Sequence, residues 1–446
     1  MWLFVRKFAE NFKSNTMIVE FSVKNFRSIC DLQTISFVAT NLKSSRENES
    51  VDLNNIVAEN EMKLLRTIGI YGANASGKSN IIKALEYFCD AVSDLPSPES
   101  RLSKLAQPFL YQIDSEYTES FFQIVVIVED KKYRYGFTVK KNPAAINNHI
   151  ASREIITSEW LFGHKNINQG KYFSRKNLEV NKSNLPNNEN IAPLEYEHTL
   201  FLTHAASYNK DICAKVRQAI SGYITSKFSA RGDFYRFHSM RQIDNPELKP
   251  GFLEFLRSFG LNYSDIYFKK DENVISSNRF PLEKLFLTKV ACHDESVNVT
   301  LNMQEHESDG TKKLFDIAGL LLHAFSIKVS GLIILDEIDS NFHPSLLIQL
   351  IRLFNDPEVN KSNVQLLFTS HDTNLMSPSL MRRDQFYFVE KEQNEGTRLY
   401  SLAELKGIRN DADFAKQYLA GFYGGVPMLS EFLNDSNADY DGTLGS

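Results

Sequence analysis

The stretch that most restricts this chain is "LLRTIGIYGANASGKSNIIKALEYF", Leu64 to Phe88. A compact apolar run ends in glycine, the pattern G-x-x-x-x-G-K-[ST] follows over Gly72 to Ser79, and Ile81, Leu85, Phe88 and Val92 then recur at helical spacing. Strand, glycine-rich loop and helix in that order predict an α/β layer structure. Glycines let backbone N–H groups turn inward around phosphates, and the helix start adds positive potential. The expected cradle is Gly72, Ala73, Asn74, Ala75, Ser76, Gly77, Lys78 and Ser79 with the adjoining Asn80. Lys78 is placed for the β and γ phosphates of a nucleoside triphosphate, and Ser79 for Mg2+. A chance loop of this pattern arises in roughly 1% of chains this long. The flanking strand and helix argue further against accident.

Three later stretches fit around such a cradle. "LIILDEID", Leu332 to Asp339, is an apolar run that ends in carboxylates, as a doubly covered parallel strand does where ligands sit. Asp336 is expected to hold magnesium and Glu337 to orient or deprotonate an attacking water. "LLFTSHD" is a second apolar strand, and His371 follows it thirty-four residues after Glu337, where it could donate to a γ phosphate. In "QEHESDGTKKLF", Ser308 is a good N-cap for the apolar stripe Leu314, Ala318, Leu321, Leu322 and Phe325. The same serine and the Gly310 amide at a helix start also make an anion site. Standing alone, the cap explains Ser308 well enough.

The 446 residues can hold one large or two ordinary domains. With 42% apolar and 24% charged residues and a net charge of -5, the profile is that of a soluble globular protein. Charge demands neither a nucleic-acid nor a membrane partner, and nucleic acid would need only a local basic patch. Cys30, Cys89, Cys213 and Cys292 are scattered without ligand spacing, so no zinc site or disulfide framework is expected and a reducing cytoplasm fits best. No run approaches the roughly 20 apolar residues of a membrane span. The opening "MWLFVRKFAENFKSNT" is read as a peripheral extension over 1–16, with Met1 or Met17 as the natural start.

Residues 17–142 are expected to form the first part of the core. They include "MIVEFSVKNFRSI", an alternating strand and turn, and a hairpin in "FFQIVVIVEDKKYRYGFTVK" turning at "EDKK". A polar, Asn-rich region from about Pro143 to Asn190 and helical patterns over Glu197 to Ser258 suggest an inserted, largely helical lid over 143–295. Residues 296–446 complete the core.

In order, GANASGKS, ESDGT, LIILDEID and SHD resemble the ATPase heads of the ABC superclass, particularly the SMC-like and OLD-like branches. That resemblance implies a P-loop ABC-type ATPase head, with a mixed sheet, an antiparallel β subdomain and the helical lid. It also implies a homodimer or higher homo-oligomer closed by ATP, with Ser308 and Gly310 touching the γ phosphate held by the partner copy. Glu337 would be the catalytic base and His371 the switch histidine. Ser340 and Asn341 match the D-loop position. "VKNFRSI" is similar to the first strand of SMC-like heads, which would put Asn25 and Arg27 near the nucleotide. Gln107 in "LAQPF" is the candidate magnesium-sensing glutamine, with Gln112 as its rival.

The tail "LMRRDQFYFVEKEQNEGTRLYSLAELKGIRND" and "KQYLAGFYGGVP" extend a similarity to the AbiLi/RloA-type ATPases of bacterial phage-defence loci. Such proteins work beside a separately encoded effector, here expected to be a nuclease. Alternatives are an SMC-like DNA-binding repair ATPase, an OLD-like nuclease-associated ATPase and a scaffold that uses ATP without hydrolysis. Only 75 residues follow His371, so no nuclease domain is expected in this chain. No sustained heptad run suggests a long arm.

Overall fold

The structure, a computed structural model, describes residues 16–59, 61–98, 106–111, 118–142, 154–165, 168–208, 212–225, 232–269, 281–291, 296–326, 331–340 and 342–427. Two sheets organise it. The first is antiparallel and follows from alternating strands: β1 (Thr16–Lys24), β2 (Gln33–Ser36), β6 (Ser120–Val128), β7 (Lys131–Lys141), β8 (Glu154–Lys165), β9 (Asn168–Lys176) and β10 (Glu179–Asn181), in the order β10-β9-β8-β7-β6-β1-β2. The expected hairpin is β6–β7, and its turn is tighter than "EDKK". Val128 pairs with Lys131, leaving Glu129 and Asp130 as a two-residue loop with φ of 49° and 62°, the left-handed pair that matches strand twist.

The expectation of a largely helical insert over 143–295 meets strands first, because β8 to β10 extend this sheet through the Asn-rich region. Bulges at Thr157 on β8, opposite Thr138 and Val139, and at Tyr172 on β9, opposite Leu161 and Phe162, break the period of two. Among the described residues the helices follow: α2 (Phe201–Tyr208), α3 (Ile212–Tyr223), α4 (Gly232–Asp244) and α5 (Lys249–Ser258). The buried Glu159 carboxylate of β8 accepts the free amides of Phe201 (2.6 Å) and Leu202 (2.8 Å), which ties the start of α2 to the sheet.

The second sheet is the parallel layer that the phosphate loop demanded. Its order is β11-β15-β16-β5-β17-β18, built from β5 (Thr67–Gly72), β11 (Ile224–Thr225), β15 (Leu332–Leu335), β16 (Gln365–Thr369), β17 (Phe386–Lys391) and β18 (Thr397–Ser401). Only β18 runs antiparallel to its neighbour. Every residue of β5, β15 and β16 is buried, which is why these strands read as continuous apolar runs. The run Leu64 to Gly72 divides at Arg66. Leu65 closes β4 (Met62–Leu65), which pairs with β3 (Ile56–Glu59), and the buried guanidinium reaches the Asn54 carbonyl (2.9 Å) and Asn363 Oδ1 (2.9 Å).

One core lies between the antiparallel sheet and α1 (Lys78–Ser93), where Phe88 packs on Phe21, Tyr135 and Phe137. The other lies on the far face of the parallel sheet under α6 (Asp309–Ser326) and α7 (Pro344–Asn355). The Gln365 side chain joins the two sheets, accepting from Ile18 N (2.7 Å) and donating to the Ile18 carbonyl (3.0 Å). A third, three-stranded sheet, β12 (Asp265–Phe268), β13 (Leu285–Val290) and β14 (Asn298–Asn302), precedes α6. Among the described residues no helix is long and apolar enough to cross a membrane.

Candidate nucleotide site

Because β5 is central in the parallel sheet, its C-terminal end opens between strands on both flanks, the usual place for a ligand in such a sheet. The loop after it turns through Ala75 (φ 60°) and Gly77 (φ 112°) into α1. A side chain at Gly77 would collide with Ser28 and Thr397, so glycine is required by space as well as by backbone angle. Those two residues form a node behind the loop. Thr397 Oγ1 donates to the Ser76 carbonyl (3.1 Å), the Ser28 and Thr397 hydroxyls are 2.6 Å apart, and Asn80 Nδ2 donates to Ser28 Oγ (2.7 Å). Lys78 Nζ donates to the carbonyls of Gly72 (2.9 Å) and Ala73 (3.0 Å), and burial lowers its pKa. The loop is therefore held in shape by its own lysine and by two distant chain segments.

On one flank, β15 and β16 bring the acids and the histidine. Ser79 Oγ donates to Asp336 Oδ1 (3.3 Å), which also accepts from Thr369 Oγ1 (2.6 Å). Thr369 Oγ1 in turn accepts the Glu337 amide (2.7 Å), so one hydroxyl positions both carboxylate residues. Glu337 sits at φ 49°, a strained angle for a residue with a side chain, and such strain concentrates at functional turns. The His371 amide donates to Asp339 Oδ2 (3.2 Å). Burial first, and the Lys78 charge second, lower the His371 pKa, which favours the neutral ring with one N–H to donate.

Lys78, Ser79, Glu337 and His371 line one cleft of about 730 Å3, together with Asn74 to Gly77, Asn80, Arg27 and Gln107. Ser79 and Asp336 fit magnesium, a hard cation that takes one or two protein oxygens and fills its remaining positions with phosphate and water. Among the described residues no cluster of three or more His, Cys, Asp or Glu could hold a metal by itself.

Arg27 and Gln107 are on the cleft wall, and the Arg27 amide donates to the Gln107 carbonyl (2.6 Å). Asn25 stands one step behind. Buried, it donates to Thr118 Oγ1 (2.7 Å) and accepts the Phe109 amide (2.9 Å), so it holds the Gln107 loop. Glu154 grips the same loop from β8 by accepting the Ala106 amide, and it also accepts the hydroxyl of Tyr87 on α1 (2.9 Å). Gln112 and Asn341 lie outside the described residues. Sequence reasoning did not find Glu154, Ser28 or Thr397. Thr369, next but one before His371, had a local signal: a hydroxyl at the end of an apolar strand.

Ser308 caps α6 as expected, its Oγ accepting the Thr311 amide (3.2 Å). It is exposed, and neither it nor Gly310 lines the cleft. The start of α6 is nevertheless tied to the flank that carries Glu337. Lys313 Nζ donates to the Ser340 hydroxyl (2.8 Å), the Ser340 carbonyl (3.0 Å) and the Glu337 carbonyl (3.4 Å).

A parallel sheet that brings the phosphate loop, Glu337 and His371 to one cleft places the chain among the P-loop nucleotide-binding domains. More narrowly, residues 68–377, well over half of the chain, match the family described as AAA domain, with an AbiEii toxin and Type IV TA system attribution, and the chain belongs to that family. Among solved structures, it is similar to an SMC head bound to the C-winged helix domain of ScpA, at 15% identity over 86% of this chain and 97% of that one, with a TM-score of 0.41. It is also similar to the recombination mediator protein RecF-ATPrS of the RecFOR pathway, at 14% identity over 87% of this chain and 100% of that one, with a TM-score of 0.32. No curated protein matches the chain.

Proposed function

We propose that this chain binds ATP with Mg2+ and hydrolyses it to ADP and phosphate. On this reading two copies close around ATP, and the closed form controls a separately encoded effector, a nuclease, in phage defence. The observation that carries the chemistry is that Glu337 and His371, delivered by neighbouring strands, line the same cleft as Lys78 and Ser79. Lys78 and the loop amides bind the β and γ phosphates, and Ser79 and Asp336 hold magnesium. Glu337 orients the attacking water, and His371 donates its N–H to the γ phosphate. Ser308 and Gly310, facing outward at the start of α6, serve the nucleotide of a second copy. The family's toxin–antitoxin attribution and the similarity of the tail to AbiLi/RloA-type ATPases support the defence role.

Phosphate release by wild type and Glu337→Gln tests the chemistry. The variant should retain ATP binding, lose about 100-fold or more in rate, as general-base losses do, and accumulate ATP-bound assemblies. Equal rates would remove Glu337 from this role.

A further inference from the structure

The phosphate loop divides its cleft into two flanks. In the sheet order β15-β16-β5-β17-β18, the strands that deliver Glu337 and His371 lie on one side of β5. The β17–β18 hairpin lies on the other, and from it Lys391 and Glu395 line the same cleft, as does Arg27. The inference rests on the ATPase reading above. A triphosphate with its γ end at Glu337 and His371 and its middle on Lys78 must carry its nucleoside toward the opposite flank.

That flank is built rather than loose. The hairpin is fastened to the phosphate loop through Thr397, which donates to the Ser76 carbonyl (3.1 Å) and whose amide donates to the Ser28 carbonyl (2.7 Å). Its turn closes on itself, Glu392 N to the Gly396 carbonyl (2.8 Å) and Glu395 N to the Glu392 carbonyl (3.0 Å). Arg27, next to Ser28, is held at φ 54° with its amide on the Gln107 carbonyl (2.6 Å). The Lys391 ammonium and Glu395 carboxylate form an ion pair with side chains 40% and 50% exposed. A solvated pair of this kind adds little stability, and its place on the cleft wall gives it another use. It presents a hydrogen-bond donor beside an acceptor. On its N7 edge adenine presents the complement, an exocyclic amine beside the N7 acceptor, whereas guanine presents two acceptors there, O6 and N7.

We propose that Arg27, Lys391 and Glu395 form the nucleoside subsite of the cleft. Glu395 accepts from the exocyclic amine of adenine, Lys391 donates to the neighbouring ring nitrogen, and the Arg27 guanidinium packs on the base. The phosphate loop recognises any triphosphate; this hairpin makes the site prefer ATP.

Equilibrium binding of ATP, GTP and inorganic tripolyphosphate, each with Mg2+, to the full chain tests this. Wild type should bind ATP more tightly than GTP. Glu395→Ala and Lys391→Ala should each weaken ATP about tenfold, the scale of a base-edge contact, narrow the ATP-to-GTP ratio and leave tripolyphosphate within twofold. ATP affinity unchanged in both variants, or ATP and tripolyphosphate weakened equally, overturns the subsite. Wild-type chain that binds neither ATP nor tripolyphosphate overturns the phosphate-loop reading itself, a separate result.

Discussion

Helices α1 and α6 both begin at a glycine-bearing turn that could receive an anion, and the two starts are built in opposite ways. At α1 the turn is enclosed. Lys78 is buried, the loop carbonyls hold its ammonium, Thr397 on one flank fastens the Ser76 carbonyl, and Asp336 on the other takes the Ser79 hydroxyl. At α6 the cap is solvated, Ser308 and Asp309 are exposed, and the cleft lies elsewhere. A solvated helix start is common and proves nothing alone. What distinguishes α6 is Lys313, within its first two turns, which fastens the helix to the Glu337 and Ser340 carbonyls. Burial lowers the Lys313 pKa, and the Asp339 and Glu337 charges oppose that shift. One start thus completes a site within its own chain, while the other faces outward with a short mechanical link to Glu337.

Substitutions at the two starts should separate them. Lys78→Ala carries the largest expected effect: it removes a cation from the β and γ phosphates, and two charge-assisted hydrogen bonds correspond to about a 100-fold loss of ATP affinity. Calorimetry on the isolated chain measures it, and under the proposed defence role cells carrying the intact locus should lose phage protection. Ser308→Arg should act differently. ATP affinity of the isolated chain should stay within about twofold, because Ser308 does not touch the cleft, while ATP-dependent association followed by light scattering should drop at least about tenfold from a bulky cation at a shared interface. If Ser308→Arg weakened ATP binding as Lys78→Ala does, the two starts would serve one nucleotide in one chain and the comparison would collapse.

The enclosed start was the more legible of the two in sequence. Gly72 to Ser79, Asp336, Glu337 and His371 each stand directly after an apolar run, so strand and functional residue are read together over a few positions. Ser308 was legible as a cap for the same local reason. The supports around them were not, because pairing between distant segments sets them. Thr397 meets Ser28 across 369 positions and Glu154 meets Tyr87 across 67. Strands β8 and β9 were hidden by bulges that spoil alternation and by polar outward positions. Asn25 was expected beside the nucleotide through its similarity to other heads, and its side chain accepts the Phe109 amide of the Gln107 loop and donates to the Thr118 hydroxyl.

Glu154 supplies the smallest effect and sharpens the contrast, since it braces the enclosed start and is buried itself. Its carboxylate takes the Ala106 amide beside Gln107 and the hydroxyl of Tyr87 on α1. Desolvation by burial raises its pKa from 4.5 to about 7, against the lowering effect of those two hydrogen bonds. The folded state therefore holds a proton that the unfolded chain releases near pH 4.5. Stability from this group is complete below that pH, declines as pH rises and is gone above about 7. A Gln at this position keeps one acceptor for the Ala106 amide and cannot titrate. Between pH 5 and 7.5 the melting temperature of wild type should fall relative to that of Glu154→Gln, by an amount that corresponds to ~1–3 kcal/mol. Parallel profiles for the two proteins would mean that Glu154 stays ionised in the fold. The Gln107 loop would then be gripped by a charge at every pH, and the brace on α1 would not loosen or tighten with protonation.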